Sequence, residues 1–226
     1  MNNSFLYGLL LCILFASCTD CTIYEKKGEF TLRQETIDAF PFISDPSIVA
    51  TPDTFIYSSQ DSNKIYVTGN ISGPIKRPFY FKSYPDPGEC DSIKEYVQTE
   101  TINLNLRSEY GRVRINHDLT TGIEPSSDVN NLAVFEQIAV RVIVDDVVKK
   151  YDFEFDIILD EIQNEISTEY RVNQLNEATL IQDTIIQGKF YESLYSAKDK
   201  DIEVFYALDK GLVYIEFENG DYWNLD

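Results

Sequence analysis

The chain has 226 residues, with 38 acidic against 19 basic side chains and a formal net charge of −19. Such a field repels phosphate backbones, so nucleic acid is excluded as a partner, and the excess of acid leaves no basic patch for adsorption to anionic headgroups. With one histidine, four cysteines and no Cys/His cluster at metal-ligand spacing, neither a metal nor a cofactor is expected.

The first feature along the chain is an apolar run of 12 residues, Phe5 to Ala16. A membrane-spanning helix needs about 20 apolar residues, so the run suits the h-region of a signal peptide covering residues 1–17. It ends in Phe15-Ala16-Ser17-Cys18, which resembles the lipobox of bacterial lipoproteins. The resemblance implies cleavage before Cys18 and lipidation of its thiol, although the leader carries no Lys or Arg before the apolar run. An ordinary signal peptide with a chance cysteine is the alternative. Several acyl chains would make the attachment lasting, whereas one holds only marginally.

Residues 18–28 read as a lipidated polar tether. Cys21 and Cys90 are left as a possible disulfide in an oxidising compartment. Equally, Cys21 sits in an unordered tether and Cys90 is a free thiol in the loop around Pro87-Gly88. From there the pattern is strand, turn, strand. Apolar residues alternate at Ile65, Val67 and Ile71, at Ile102, Leu104 and Leu106, and, as a shorter case, at Val113 and Ile115. Pro78-Phe79-Tyr80-Phe81 puts aromatics on both faces of a strand, which suggests burial between two sheets. The polar stretch 116–131 separates an N-terminal β unit (29–125) from a C-terminal one (126–226), unless the two form one continuous domain.

Ile138, Val140, Val142 and Val144 share one strand face, and Asp145-Asp146 turns the chain into Tyr151–Ile157, apolar at odd positions and acidic at even ones. Residues 160–176 carry loosely helical spacing. The remainder predicts a meander of up to five strands, with turns at Gln187-Gly188, Asp209-Lys210-Gly211 and Asn219-Gly220; Asn-Gly favours a type I′ hairpin. The expected class is all-β: an antiparallel sandwich-like N-terminal unit followed by an antiparallel meander.

The ending Val204-Phe205-Tyr206, Gly211-Leu212-Val213, Asn219-Gly220 and Trp223-Asn224-Leu225, combined with the lipobox, resembles small uncharacterised lipoproteins of Bacteroidota. The resemblance implies a location and a fold, with no catalytic residue to transfer. It places the chain at the outer membrane, on the periplasmic rather than the surface face, because Thr19-Asp20-Cys21-Thr22 lacks an acidic export run.

His117 is the lone histidine and has no Gly-x-Ser-x-Gly element beside it, so it reads as a surface or turn residue with no triad role. Glu216, Glu218, Asp221 and Trp223 flank the last hairpin and are the candidate ligand contacts, although Trp223 also suits a core position. The expected function is a non-catalytic binding or structural module anchored by lipid, engaging an envelope protein or glycan. Two rivals are a carboxylate-based glycan hydrolase, which requires facing acids about 5–10 Å apart, and a carrier for an apolar ligand.

Overall fold

The computed structural model describes residues 21–40, 54–61, 63–88, 92–145, 149–174 and 176–226. Cys18, Cys90 and the expected signal peptide lie outside the described residues. The elements are β1 (Thr22–Phe30), α1 (Gln34–Ala39), β2 (Phe55–Ser59), β3 (Lys64–Tyr84), β4 (Ser92–Ser108), β5 (Val113–Glu124), β6 (Ala133–Asp145), β7 (Lys150–Gln163), α2 (Thr168–Gln174), β8 (Thr179–Ile186), β9 (Lys189–Asp199), β10 (Ile202–Ala207), β11 (Gly211–Phe217) and β12 (Tyr222–Leu225).

All twelve strands join one sheet, in the order β7-β6-β5-β4-β3-β2-β12-β11-β10-β9-β8, with β1 added in parallel to β4. The fold is all-β and antiparallel along this path, and β8–β12 form the expected meander. The layers come from curling rather than from two separate sheets. Strands β7 and β11 meet across the interior, where the Tyr151 and Phe217 rings lie 4.8 Å apart. One apolar core draws Leu104, Ile115, Val140 and Phe155 from one arm of the curl and Val204 and Ile215 from the other. Each such side chain contributes about 1.5–3 kcal/mol on burial, which offsets the entropy of ordering long strands.

Period 2 explains the strands. In β5 every odd residue from Val113 to Ile123 is buried and every even one is half-buried. His117 belongs to that series and is fully buried, not a surface or turn residue. The polar triplet Asn116-His117-Asp118 conceals a strand that continues through Leu119 to Glu124. The stretch 116–131 is therefore mostly strand; only residues 125–132, including a 3-10 turn at Val129–Asn131, lie between β5 and β6.

Three further expectations shift in detail. Thr22–Gly28, read as tether, form most of β1. The helical spacing in 160–176 belongs to the end of β7 and then to α2. The two-residue turn with both φ angles positive falls at Gln187 (49°) and Gly188 (78°). At Asn219-Gly220 only Gly220 is positive (84°), which gives a three-residue hairpin loop closed by a bulge.

One end of the curl is closed by α1, whose Ile37 joins Leu32 and Phe40 in the core. Glu136 on β6, fully buried, holds this plug. It accepts hydrogen bonds from the Arg33 backbone N–H (2.7 Å), from Arg33 Nε (2.8 Å), from the Arg33 guanidinium again (2.6 Å) and from Thr36 Oγ1.

Close backbone approach determines one glycine. A Cβ on Gly69 would lie 1.6 Å from the Asn105 carbonyl oxygen, so β3 and β4 must part to admit it. Gly69→Ala is expected to destabilise the fold by about 2–4 kcal/mol, in the range of overpacked cores and strained backbone. A urea midpoint unchanged from wild type would refute this.

Candidate functional site

Among the described residues the end of the curl opposite α1 is open, and four chain segments meet there: the start of β3, the β4–β5 turn, the end of β6 and the β11–β12 hairpin. They surround a cleft of about 300 Å³, with Ile65, Val113, Val144 and Trp223 as apolar wall, Tyr66 and Tyr110 at the rim, and Lys64, Arg112, Glu109 and Asp145 as charged neighbours. Tyr110 is 83% exposed and Tyr66 53%, so both rings can receive a ligand. A smaller cavity of about 130 Å³ shares Val144 and Trp223 and adds Tyr151, Phe217, Asn219 and Asp221.

Trp223 is placed by packing. It pairs in register with Ile215 and Ser59, and its ring meets Phe217 edge-on at 5.2 Å. It packs on the core through one part of its surface and lines the cleft with the rest. Of the residues expected from sequence, only Asp221 joins it. Glu216 sits opposite Glu203 and Tyr222 on the other face of the sheet. Glu218 is paired with Lys149 at 2.8 Å, and the same ammonium reaches Asp201 at 3.0 Å and is held above its ordinary pKa by these two acids. Tyr66, Tyr110, Lys64 and Arg112 carried no local signal in the sequence, since the start of β3 meets the β4–β5 turn only when β3 and β4 pair.

The hydrolase reading calls for a raised carboxyl facing a second acid. Asp156 on β7 is raised to about 6, first by burial and then by the charges of Glu154 and Glu177. It lies on the outer face of the sheet, away from the cleft. Ala139 is its register partner, and Ala139 also pairs with Asp118, so one small side chain separates the two acids. The dimple beside them, lined by Asn116, Asp118, Ala139, Arg141 and Glu154, measures about 140 Å³. That is less than half the lower bound of about 300 Å³ for ordinary ligand pockets, whereas the end cleft reaches it.

The carrier reading calls for an apolar cavity inside the curl. Among the described residues the interior is packed with apolar side chains, with three buried polar groups at its centre. His117 meets the Tyr206 ring edge-on at 5.6 Å, and the Tyr57 hydroxyl donates to the Leu212 carbonyl at 2.9 Å. Burial pushes both tyrosine hydroxyls well above the usual phenol range and the imidazole down to about 3.

Fold and cleft define an all-β protein built on one curled antiparallel sheet, open and aromatic at one end. No family model matches the chain, and no curated protein or solved structure matches it either.

Proposed function

We propose that this protein is a lipid-anchored, non-catalytic binding module of the bacterial cell envelope, bound to the outer membrane through Cys18, and that its end cleft takes a ring-bearing ligand, with an envelope glycan as the leading candidate. The observation carrying this reading is the combination in one cleft of Trp223, Tyr66 and Tyr110 with cationic and anionic neighbours. Flat aromatic faces stack on sugar rings while charged groups at the edge fix orientation, and the volume admits about one ring. The attachment argument is independent of the cleft: the lipobox lies three residues before Cys21, which is disulfide-bonded. Ser92, two residues after Cys90, donates its N–H to the Cys21 carbonyl at 3.4 Å, which supports a Cys21–Cys90 bridge.

Trp223 is the sole tryptophan, so its emission reports on the cleft directly. Titration with solubilised envelope glycans is expected to shift that emission, and Tyr110→Ala to weaken binding about tenfold, in line with one lost stacking contact of roughly 1–1.5 kcal/mol. Because Tyr110 is 83% exposed, the variant should keep wild-type stability. An unmoved emission with every glycan fraction, alongside a shift on adding an envelope protein, would transfer the cleft to a protein ligand. Fatty-acid labelling in cells tests the anchor: label retained in Cys18→Ala sinks it.

A further inference from the structure

The outer halves of β3 (residues 75–84) and β4 (residues 92–99), with β1 beside them, project beyond the core as a three-stranded arm. Along one face of the arm runs a row of tyrosines. The Tyr24 and Tyr80 rings lie 5.9 Å apart and the Tyr80 and Tyr96 rings 5.7 Å apart, with Tyr24 56% and Tyr80 48% exposed. Lys94 pairs in register with Tyr24 and with Ser83 on the same face, and forms no ion pair with any described residue. Lys26 and Lys76 share the single carboxylate of Glu29, which the two ammonium groups hold down at about 2. Tyr80 is thus exposed and not sandwiched between sheets, while Phe79 and Phe81 cover the small core of Val97, Ile123 and Val134.

The charge of this arm reverses that of the molecule. These strand segments hold Lys26, Lys27, Lys76, Arg77, Lys82 and Lys94 against Glu25, Glu29 and Glu95, in a chain whose net charge is −19; Lys26, Lys76 and Lys94 share the tyrosine face with Glu29 and, at its edge, Glu100, while Lys27 and Lys82 pair with Glu95 on the opposite face. The whole-chain total therefore misleads about adsorption, because the basic residues are gathered where the chain leaves its expected anchor. The four-residue step from Cys18 to Thr22 spans at most about 14 Å, so a lipid on Cys18 confines β1 to the membrane surface. At the other end, Ser108 of β4 lines the aromatic cleft, 16 residues from Ser92 and roughly 50 Å along the strand.

We propose that the tyrosine row and lysines of this arm form a second membrane contact that docks on anionic lipid headgroups and holds the sheet upright, with the cleft pointing away from the bilayer. The proposal rests on the lipidation of Cys18. Tyrosine rings settle at the interface because one end is apolar and the other polar, and each lysine near an anionic surface adds its own attraction. Together they would convert a swivelling anchor into an oriented one.

Lysine acetylation read by mass spectrometry tests this on the full chain, reconstituted in vesicles of phosphatidylethanolamine with phosphatidylglycerol, in vesicles of phosphatidylcholine and in detergent micelles. Lys26 and Lys94 are expected to label about fivefold less in the anionic vesicles than in micelles, and less protected in the neutral ones. Lys64 and Lys198, at the far end of the sheet, should label alike in all three. Combining Tyr24→Ser, Tyr80→Ser and Lys94→Glu should abolish the protection of Lys26. Equal labelling of arm and far-end lysines in every medium overturns the docking. Fatty-acid labelling of the same preparation separates the two claims: a labelled chain with an unprotected arm overturns docking alone. An unlabelled chain whose arm is still protected on added vesicles supports docking and overturns the anchor, and an unlabelled, unprotected chain overturns both.

Discussion

Acidification is expected to weaken the fold through His117, by about 5 kcal/mol in total between pH 6.5 and 3. Its imidazole is enclosed at the centre of the curl, where burial holds it down to about 3 against the ordinary 6.5. In that window the unfolded chain binds the proton and the folded chain does not, so stability is present above 6.5 and is lost as the pH falls. Asp156 acts with the opposite sign. Its carboxyl is raised from 3.8 to about 6, so between those values the folded chain holds the extra proton and gains stability as the pH falls, by about 3 kcal/mol at most. The two slopes cancel between pH 6 and about 4, and the net loss appears below that. Urea midpoints measured from pH 7 to 3 should therefore show a near-plateau followed by a steep fall. Asp156→Asn should replace the plateau with a continuous decline starting near 6.5. His117→Phe should remove the contribution of the imidazole, and a variant that follows the wild-type profile throughout would show that this histidine does not govern it.

Arg33→Ala should be the most damaging single change outside the core, costing about 3–5 kcal/mol. The guanidinium is the main counter-charge of Glu136, whose side chain has no exposure, and it also reaches Asp160 at 2.7 Å. Removing it leaves a buried carboxylate with, among the described residues, only the backbone N–H of residue 33 and Thr36 Oγ1 as donors. The plug at α1 would then loosen, and amide exchange should rise at Leu32 and Ile37 before the rest of the sheet. Replacing both partners, Arg33→Met with Glu136→Leu, should recover most of the loss, because the burial penalty disappears together with the attraction. A double variant no more stable than Arg33→Ala would mean that the ion pair itself sustains the plug.

How far the site could be read from sequence is shown by four residues. Trp223 and Asp221 were visible because a hairpin is a local object: Gly220 and the alternation around it place them without reference to the rest of the chain. Glu216 was misplaced because adjacent residues of a strand face opposite sides, so nearness in sequence to Trp223 implied the wrong surface. Tyr110 was not visible at all. It lies in the exposed turn between β4 and β5, and becomes part of a wall only because β12 pairs with β2 and brings the last hairpin to that turn.

The amino-acid sequence by itself determined the strands, most of their turns and the all-β class, since period-2 burial and turn chemistry act over a few residues. It also carried the segment Phe15-Ala16-Ser17-Cys18 that resembles a lipobox, a linear pattern that needs no fold. Only the tertiary structure decided that the strands form one curled sheet, because pairing such as β12 with β2 joins residues more than 150 positions apart and is selected by the shared core. The same closure buried His117, gathered the aromatic cleft and concentrated positive charge on the arm of an acidic chain, since spatial juxtaposition follows strand order and not sequence order.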